Sequence, residues 1–246
     1  MSIPKIIHYC WFGGGPIGEA NRKCIESWQK FCPDYRIMRW DETNFDLDCS
    51  PYVRQAYDAG RYAFVSDYVR LAVLYRYGGI YLDTDVELVK PLDELLELPG
   101  FMGFQTNNEV ATGLGFGARK GNPVVQALLR DYDALDFIKA DGSADLTPCP
   151  ERNTKVLQTL GVCVDGTRQS IAEMEIFPAE YFCPMDLYSR KLRVTPKTYS
   201  IHRYAESWKP KPSAVSRILQ RLLKKHYYTW YCPLRGRIEG RLRKRT

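Results

Sequence analysis

The sequence predicts an α/β protein built on a mainly parallel sheet. Short apolar runs that suit strands alternate along the chain with longer stretches whose apolar residues recur at helical spacing. A glycine triplet and a glycine pair follow two of these segments, as expected where a chain turns sharply. With 246 residues, of which 45% are hydrophobic and 26% charged, the chain is long enough for one domain with an appendage.

The first strand is predicted in PKIIHYCWFGGG, because the continuous apolar run around Ile6 and Ile7 suits a strand buried on both faces. The glycines at 13–15 then allow a sharp turn or the close approach of a ligand. Residues 19–31 have the pattern of an amphipathic helix. YRIMRW, residues 35–40, predicts the second strand.

A long helical segment is predicted over residues 50–77. Its core-facing stripe recurs at spacings of three and four and consists of Phe64, Tyr68, Leu71, Ala72 and Tyr75. Gly78 and Gly79 end the helix, because glycine tolerates the left-handed conformation. A third strand, IYL at 80–82, follows, and VELV at 86–89 is a further extended piece.

The second half of the chain repeats this alternation. Further strands are predicted at 101–105, 111–118, 174–182 and 199–204. Helices are predicted at 122–135 and 151–161, the second closed by Gly161.

Basic residues are concentrated at the carboxyl end. Residues 209–246 carry a net charge of +11, whereas residues 1–208 carry −5. The tail has the pattern of a basic amphipathic helix, which suits the surface of an anionic membrane. One face consists of Val215, Ile218, Leu219, Leu222, Leu223, His226, Tyr227 and Trp230, and the other of Arg217, Arg221, Lys224 and Lys225. The alternative is a helix packed on the body with a disordered basic end.

Several classes of protein are disfavoured. Nucleic-acid binding is disfavoured because no recognition motif accompanies the basic charge. The eight cysteines form no C-x-x-C pair, so we expect reduced thiols rather than a zinc ribbon or a redox motif. No secretory signal and no apolar run of membrane-spanning length is visible, so a cytoplasmic body is expected.

Two carboxylates, Asp83 and Asp85, follow the third strand. Open parallel sheets bind ligands beyond the carboxyl ends of their strands, and residues i and i+2 of an extended chain face the same side. Carboxylates this close repel unless a cation neutralises them, and Mg²⁺ or Mn²⁺ accepts such oxygens together with substrate phosphates. The motif therefore predicts a metal–diphosphate clamp, with an aspartate-rich turn as the alternative.

Other candidate residues support this interpretation. Asp67 and Arg70, in FVSDYVR, are neighbours on one helix surface, although a solvated ion pair would have the same spacing. Trp11 follows the first strand, where it would either stack on a nucleobase or pack in the core. HRYAESW adds His202, Ser207 and Trp208 directly before the basic tail.

Four segments together resemble family 32 glycosyltransferases, the DXD-containing sugar transferases of bacterial capsule and exopolysaccharide clusters. They are IPKIIHYCWFGG, FVSDYVRLAVLYRYGGIYLDTDVEL, IFPAEYFCP and YSIHRYAESW. The resemblance spans about residues 3–208 and extends to fungal initiating mannosyltransferases and, distantly, to clostridial glucosylating toxins. It implies a GT-A fold, a Rossmann-like α/β sandwich over 1–208 that binds a nucleotide-sugar and a divalent metal, Mn²⁺ or Mg²⁺.

The resemblance also implies a role for each candidate residue. Trp11 would stack on uracil or guanine, and Asp67 and Arg70 would contact the donor sugar and diphosphate. Asp83 would contact ribose, sugar or metal, and Asp85 would ligate the metal directly.

Three further residues are implied near the end of the body. His202, or Ser207 nearby, would complete the metal site or contact the diphosphate, and Trp208 would cap the leaving diphosphate. One departure from the family pattern concerns an asparagine that faces the donor in many relatives. Gly113 and Gly115 occupy the place where it is expected, while Asn107, Asn108 and Glu109 precede them.

The implied activity is metal-dependent transfer of a hexose, with retention, from a UDP- or GDP-sugar. The acceptor would be a polyisoprenyl-diphosphate-linked glycan at the inner face of the cell membrane. Arg70 and the metal would stabilise the departing diphosphate, and Glu109 is the nearest candidate for an alternative double displacement. A toxin-like protein glycosyltransferase and a non-catalytic nucleotide-sugar-binding module are the alternatives. The toxin-like alternative is disfavoured because no delivery region is visible. The binding-module alternative is disfavoured because the aspartates and Arg70 are intact.

Overall fold

The computed structural model describes residues 2–186 and 189–204, so Ser207, Trp208 and the basic tail lie outside the described residues. Its strands are β1 (Ile6–Cys10), β2 (Arg36–Trp40), β3 (Gly79–Tyr81), β4 (Val86–Leu88), β5 (Gly100–Phe104), β6 (Val110–Ala111), β7 (Phe116–Ala118), β8 (Gln169–Ile171), β9 (Met174–Phe177) and β10 (Ser200–His202). Its helices are α1 (Glu19–Phe31), α2 (Pro51–Asp58), α3 (Tyr62–Tyr77), α4 (Pro123–Asp133), α5 (Cys149–Thr159) and α6 (Ala179–Phe182), with short 3₁₀ turns at Leu47–Cys49 and Asp93–Leu95.

The predicted α/β class is confirmed, on a mixed central sheet. Its strand order is β2-β1-β3-β7-β5-β9-β8, with β6 beside β5. The strands β1, β2, β3, β5 and β9 run in one direction, and β6, β7 and β8 run in the other. The carboxyl ends of β1, β3 and β5 therefore share one edge of the sheet.

Helices cover both faces of the sheet. On one face, α2 to α5 contribute buried residues such as Val53, Leu74 and Leu128 to the core. On the other face, α1 contributes Trp28, which is fully buried and donates a hydrogen bond from Nε1 to the Val86 carbonyl at 2.7 Å. That bond fixes α1 against the small antiparallel sheet formed by β4 and β10. No helix in the described residues combines the length and apolar character needed to cross a bilayer.

Two predicted elements are divided or changed. The helical segment over residues 50–77 is α2 and α3, because Gly60 adopts φ +66° between them and breaks the helix. The strand predicted over 174–182 ends at Phe177, and the following residues form α6. Pro178 explains the change, since it lacks the N–H that a strand would need to continue its ladder. The strand β8 was not predicted.

The strand predicted over 111–118 is also interrupted. The strands β6 and β7 both pair with β5, and residues 112–115 leave the sheet between them. Within this bulge the Gly113 carbonyl accepts a hydrogen bond from the Asp83 amide at 3.0 Å. The interruption thus brings the bulge onto the loop that carries the two aspartates.

His8, on β1, links its own strand to β2 and to the end of α3. Its Nδ1 accepts a hydrogen bond from Trp40 Nε1 at 3.0 Å, and its Nε2 donates to the Gly78 carbonyl at 2.9 Å. Because Trp40 only donates and the carbonyl only accepts, this pairing requires the neutral Nε2–H tautomer. Burial lowers the pKa of His8 to about 4, which keeps the ring neutral.

Candidate active site

A cleft of about 780 Å³ opens at the carboxyl edge of the sheet. Its walls come from the segments that follow β1, β3 and β5, from the start of α3 and from the start of α5. This is the edge at which open α/β sheets bind ligands.

The loop after β3 presents Asp83 and Asp85 to the cleft. Leu82 still pairs with β1 through its amide, which donates to the His8 carbonyl at 3.1 Å. The chain then turns, because the Val86 amide donates back to the Asp83 carbonyl at 2.9 Å. Thr84, between the two aspartates, is bonded to α1: Asn21 Nδ2 donates to Thr84 Oγ1 at 2.7 Å.

Arg70 joins the helix α3 to this loop. Its Nη1 lies 2.9 Å from Asp67 Oδ1, and its Nη2 lies 3.1 Å from Asp83 Oδ1. The guanidinium is 5% exposed and lies over the Tyr81 ring, 5.0 Å from the centroid. Asp67 and Arg70 are therefore a buried pair tied to the DXD loop, and the solvated surface pair considered for this spacing is wrong.

Asp67 has an unusual environment for a carboxylate. Burial raises the pKa of its carboxyl to about 6, although the Arg70 charge opposes that rise. The nearby Asp83 charge acts in the same direction as burial. A second positive charge or a hydroxyl ligand beside Asp67 would stabilise the ionised form.

His202 reaches the same loop from the far end of the described chain. The strand β10 pairs with β4 so that His202 lies opposite Val86, and His202 Nε2 is 3.3 Å from Asp85 Oδ1. Burial alone would lower the pKa of His202, but the Asp85 charge and hydrogen bond outweigh it and raise that pKa to about 10. His202 Nδ1 is buried without a hydrogen-bond partner among the described residues.

Asp83, Asp85 and His202 form a group that fits a divalent cation. One ligand atom from each residue lies within 4.8 Å of the others. Two carboxylate oxygens and one imidazole nitrogen are a donor set that Mn²⁺ accepts, and the carboxylates also suit Mg²⁺. A cation here would also replace the proton that His202 holds beside Asp85.

Gly113 is required by the position of Asp83. A Cβ atom built on Gly113 would lie 1.9 Å from Asp83 Oδ2, closer than any non-bonded contact permits. The place where the family pattern suggests a donor-facing asparagine is thus occupied by the Asp83 carboxylate itself. The next glycine, Gly115, has φ +149° and packs against Phe182.

Trp11 lies on the β1 side of the cleft, where it is half-buried. Its indole Nε1 donates to the Gly15 carbonyl at 2.6 Å, so the ring is fixed across the glycine loop. The Tyr62 ring packs on Gly13, at which a Cβ atom would lie 2.3 Å from Tyr62 Cε2. Trp11 is therefore placed where a ligand can reach it, and its role as a base-stacking residue stays a prediction.

Cys149, Thr112 and Asn153 form a polar cluster beside Arg70 that the sequence analysis did not predict. Cys149 Sγ lies 3.2 Å from Arg70 Nη1, 3.2 Å from Asn153 Nδ2 and 3.3 Å from Thr112 Oγ1. Burial raises the pKa of the Cys149 thiol to about 12, so it stays neutral. No local motif marks these residues, because their association depends on how α5 packs on the bulge. The described cysteines, which exclude Cys232, are all free thiols.

Comparison with known proteins finds a family model that matches the part of the chain carrying the two aspartates. Residues 18–101 match the family model described as "Glycosyltransferase sugar-binding region containing DXD motif". The match includes Asp67, Arg70 and both aspartates of the DXD loop.

Curated relatives extend the match over much of the chain. Inositol phosphoceramide mannosyltransferase 3 of Schizosaccharomyces pombe is 32% identical over 144 residues, which are 55% of this chain and 39% of that protein. An uncharacterized glycosyltransferase of Acanthamoeba polyphaga mimivirus is 26% identical over 223 residues, covering 85% of this chain and 84% of the relative. The human alpha-1,4-N-acetylglucosaminyltransferase is 27% identical over 149 residues, 60% of this chain and 38% of that enzyme. The chain therefore spans well under half of the yeast and human relatives.

Among solved structures, PaToxG glycosyltransferase gives a TM-score of 0.48 at 23% identity, covering 64% of this chain and 69% of that one.

Proposed function

We propose that the chain is a DXD-containing glycosyltransferase of the family 32 type, metal-dependent and retaining, with a nucleotide-sugar as donor. The observation that carries the proposal is the convergence of Asp83, Asp85 and His202 beside the buried Arg70, at the ligand-binding edge of the sheet. A metal–diphosphate needs ligands for the cation and positive charge for the phosphates. The two carboxylates and the imidazole can supply the ligands, and the guanidinium can supply the charge.

In this proposal Asp83, Asp85 and His202 hold Mn²⁺ or Mg²⁺. When bound, the ion supplies positive charge to the diphosphate, which stabilises it as a leaving group. Arg70 supplies a second positive charge, fixed by its bonds to Asp67 and Asp83, so little reorganisation is needed during the reaction. Trp11 stacks on the nucleobase, and the contacts proposed for Ser207 and Trp208 with the diphosphate lie outside the described residues.

Retention follows if the acceptor hydroxyl attacks from the face that the diphosphate leaves. The oxygen–anomeric carbon bond to the diphosphate breaks, the acceptor oxygen forms its bond to the same face, and the diphosphate oxygen takes the acceptor proton. Asp67 and Arg70 hold the sugar during this step. The double displacement through Glu109 has less support, because its Oε2 already accepts hydrogen bonds from Gln105 and Asn107.

The donor sugar is proposed to be a hexose, carried by UDP or GDP. The names of the relatives indicate two sugars: mannose for the fission-yeast protein and N-acetylglucosamine for the human one. The acceptor is proposed to be a polyisoprenyl-diphosphate-linked glycan used for capsule or exopolysaccharide. A lipid-borne acceptor is supported by the inositol phosphoceramide in the name of the fission-yeast relative and by the basic amphipathic pattern of residues 209–246.

A thermal-shift screen tests the proposed function. The panel contains UDP-glucose, UDP-galactose, UDP-N-acetylglucosamine and GDP-mannose, each with and without Mn²⁺. A ligand that binds only the folded protein raises the melting temperature by mass action. We expect one donor to raise it only when Mn²⁺ is present, and the Asp85→Asn variant to lose that shift. A folded chain that responds to no donor, or responds equally without Mn²⁺, contradicts the proposal.

Turnover then separates an enzyme from a binding module. The donor that shifts the melting temperature should release its nucleotide slowly in Mn²⁺, with water as the acceptor. Release that is absent in the wild-type chain, despite donor binding, would favour the non-catalytic module.

A further inference from the structure

A second polar group lines the cleft at the carboxyl end of β5. We name Gln105, Asn107 and Glu109 the β5 cluster; all three line the same cleft as the aspartates. Glu109 Oε2 accepts hydrogen bonds from Gln105 Nε2 at 2.9 Å and from Asn107 Nδ2 at 2.8 Å. Neither the metal group nor the Arg70 pair contacts these side chains.

The backbone holds the β5 cluster in a fixed turn. The Gln105 amide donates to the Glu109 carbonyl at 2.8 Å, and the Asn108 amide donates to the Gln105 carbonyl at 2.9 Å. Asn108 adopts the left-handed conformation, with φ +63°, that this turn needs. A Cβ atom on Gly166 would lie 2.7 Å from Asn108 Oδ1, so a neighbouring loop also packs against the turn. The cluster is therefore arranged before any ligand arrives, which lowers the entropic cost of binding.

The β5 cluster has hydrogen-bonding capacity that it does not use. The Gln105 side chain is buried, with the residue 7% exposed, and only its Nε2 is bonded. Within the described residues, neither Gln105 Oε1 nor Glu109 Oε1 accepts a hydrogen bond. Gln105 Oε1 is not among the fully buried atoms that lack a partner, so it remains open to a donor from water or a ligand. Since Gln105 lines the cleft, that donor would enter through the cleft.

The strand order fixes where the β5 cluster lies relative to the rest of the site. Trp11 follows β1, the two aspartates follow β3, and the cluster follows β5, two strands beyond β3 across β7. At about 4.8 Å per strand, the cluster is about 10 Å from the aspartate loop, on the side away from Trp11. A nucleotide-sugar that reaches from Trp11 to the metal group leaves this end of the cleft for another molecule.

We propose that the β5 cluster is the acceptor subsite and that it recognises the hydroxyl groups of a sugar ring. The unused oxygens of Gln105 and Glu109 are hydrogen-bond acceptors, which match hydroxyl donors. The Glu109 carboxylate would repel a phosphate, so the acceptor's own diphosphate must lie elsewhere. This inference rests on the proposed function, because it takes the other end of the cleft as the donor subsite.

Saturation-transfer NMR with simple glycosides tests the subsite. The full chain, loaded with Mn²⁺ and UDP, or GDP in parallel, is titrated with methyl α-mannoside, methyl β-glucoside and methyl β-galactoside. We expect at least one glycoside to bind. Glu109→Gln and Gln105→Met should each raise its Kd about tenfold, because each removes an acceptor that the ring hydroxyls use.

Controls separate this inference from the proposed function. Both variants should keep the Mn²⁺-dependent thermal shift with the nucleotide, and Glu19→Gln, on the exposed surface of α1, should leave the glycoside Kd unchanged. The subsite is overturned if no glycoside binds to the nucleotide-loaded chain, or if both variants bind it as the wild type does. It is also overturned if folded variants lose the nucleotide shift, since the cluster would then serve the donor. A wild-type chain without any nucleotide shift instead contradicts the proposed function, and the inference with it.

Discussion

Asp83 and Asp85 are held by different partners, although one residue separates them. Asp83 pairs with the always-charged Arg70, whereas Asp85 pairs with His202, whose charge depends on a proton. A cation that enters the group can displace the proton from His202 but cannot displace Arg70. If a cation binds as proposed, the contact between Asp85 and His202 is therefore the one that changes, while the ion pair between Asp83 and Arg70 can persist.

The Asp85→Asn substitution should abolish metal-dependent turnover. Asparagine keeps the shape of the side chain but removes the charge that attracts the cation, so we expect the turnover rate in Mn²⁺ to fall at least about 100-fold. The measurement is nucleotide release from the identified donor as a function of Mn²⁺ concentration. Glu87→Gln is the matched control, because Glu87 lies two residues along the same segment and pairs with Arg203 instead. Wild-type turnover in Asp85→Asn would remove Asp85 from the metal group.

Gly113→Ala should damage the site while the chain stays folded. The new methyl group would lie 1.9 Å from Asp83 Oδ2, so the carboxylate or the bulge must move. We expect kcat/KM to fall at least about tenfold, with a loss of about 1–3 kcal/mol in the free energy of unfolding. Gly18→Ala is the control, since Gly18 has φ −64° and open space around it. Unchanged kcat/KM in Gly113→Ala would show that Asp83 does not need its present position.

At the scale of elements, His8 holds β1, β2 and the end of α3 together as a neutral ring. Its pKa is about 4 in the folded state against 6.5 in the unfolded chain, so below pH 6.5 the unfolded chain binds a proton that the folded protein excludes. The free energy of unfolding should therefore fall as the pH drops from 6.5 to 4, by up to about 3 kcal/mol from this residue.

Denaturant unfolding of wild type and His8→Gln across that pH range checks this expectation. Glutamine keeps one acceptor and one donor but does not titrate, so its stability should depend less on pH. The variant is needed because Asp67 has the opposite effect on stability. Its pKa is raised to about 6, so the Asp67 contribution to the free energy of unfolding increases as the pH falls, and it does so in both proteins. Identical pH profiles for the two proteins would mean that His8 is not kept neutral by the fold.

Elements with a strong local pattern were predictable. The helix over 19–31 begins and ends where its periodicity does, and the strand around Ile6 and Ile7 is fully supported by its apolar run. Gly60 could have indicated the break between α2 and α3, but the apolar stripe that follows it favoured one continuous helical segment. The bulge at 112–115 was not predictable, because it depends on Asp83 from another strand rather than on its own sequence.

The candidate site divides in the same way. The sequence predicted Asp67, Arg70, Asp83, Asp85 and His202 as candidates, from their spacing and from the family resemblance, and the structure places all five around one cleft. It did not identify Cys149, Thr112 and Asn153, which meet only when α5 packs against the bulge. Residues that act through tertiary contacts leave no spacing to detect.

For the whole molecule, the charge is divided between an acidic body and a basic end. Residues 209–246 carry +11 and residues 1–208 carry −5. The division of the chain at residue 208 stays a prediction, as the tail lies outside the described residues.

Binding to lipid vesicles tests the role of the tail. The full chain should sediment with phosphatidylglycerol vesicles at low salt, stay free with phosphatidylcholine vesicles, and be released by about 0.5 M salt. Reversing Arg221, Lys224 and Lys225 to glutamate should abolish sedimentation, whereas reversing Lys23, an exposed residue of α1, should not. Equal binding by both variants would favour a tail that packs on the body or is disordered.

The arrival of His202 on β10 has a consequence for how the protein is made. His202 is translated 117 positions after Asp85, which is about ten seconds of synthesis at ordinary rates. During that interval the nascent chain carries both aspartates without their third partner. The group of three candidate ligands is therefore completed only when β10 has been made, and any truncation before β10 would leave the loop after β3 without His202.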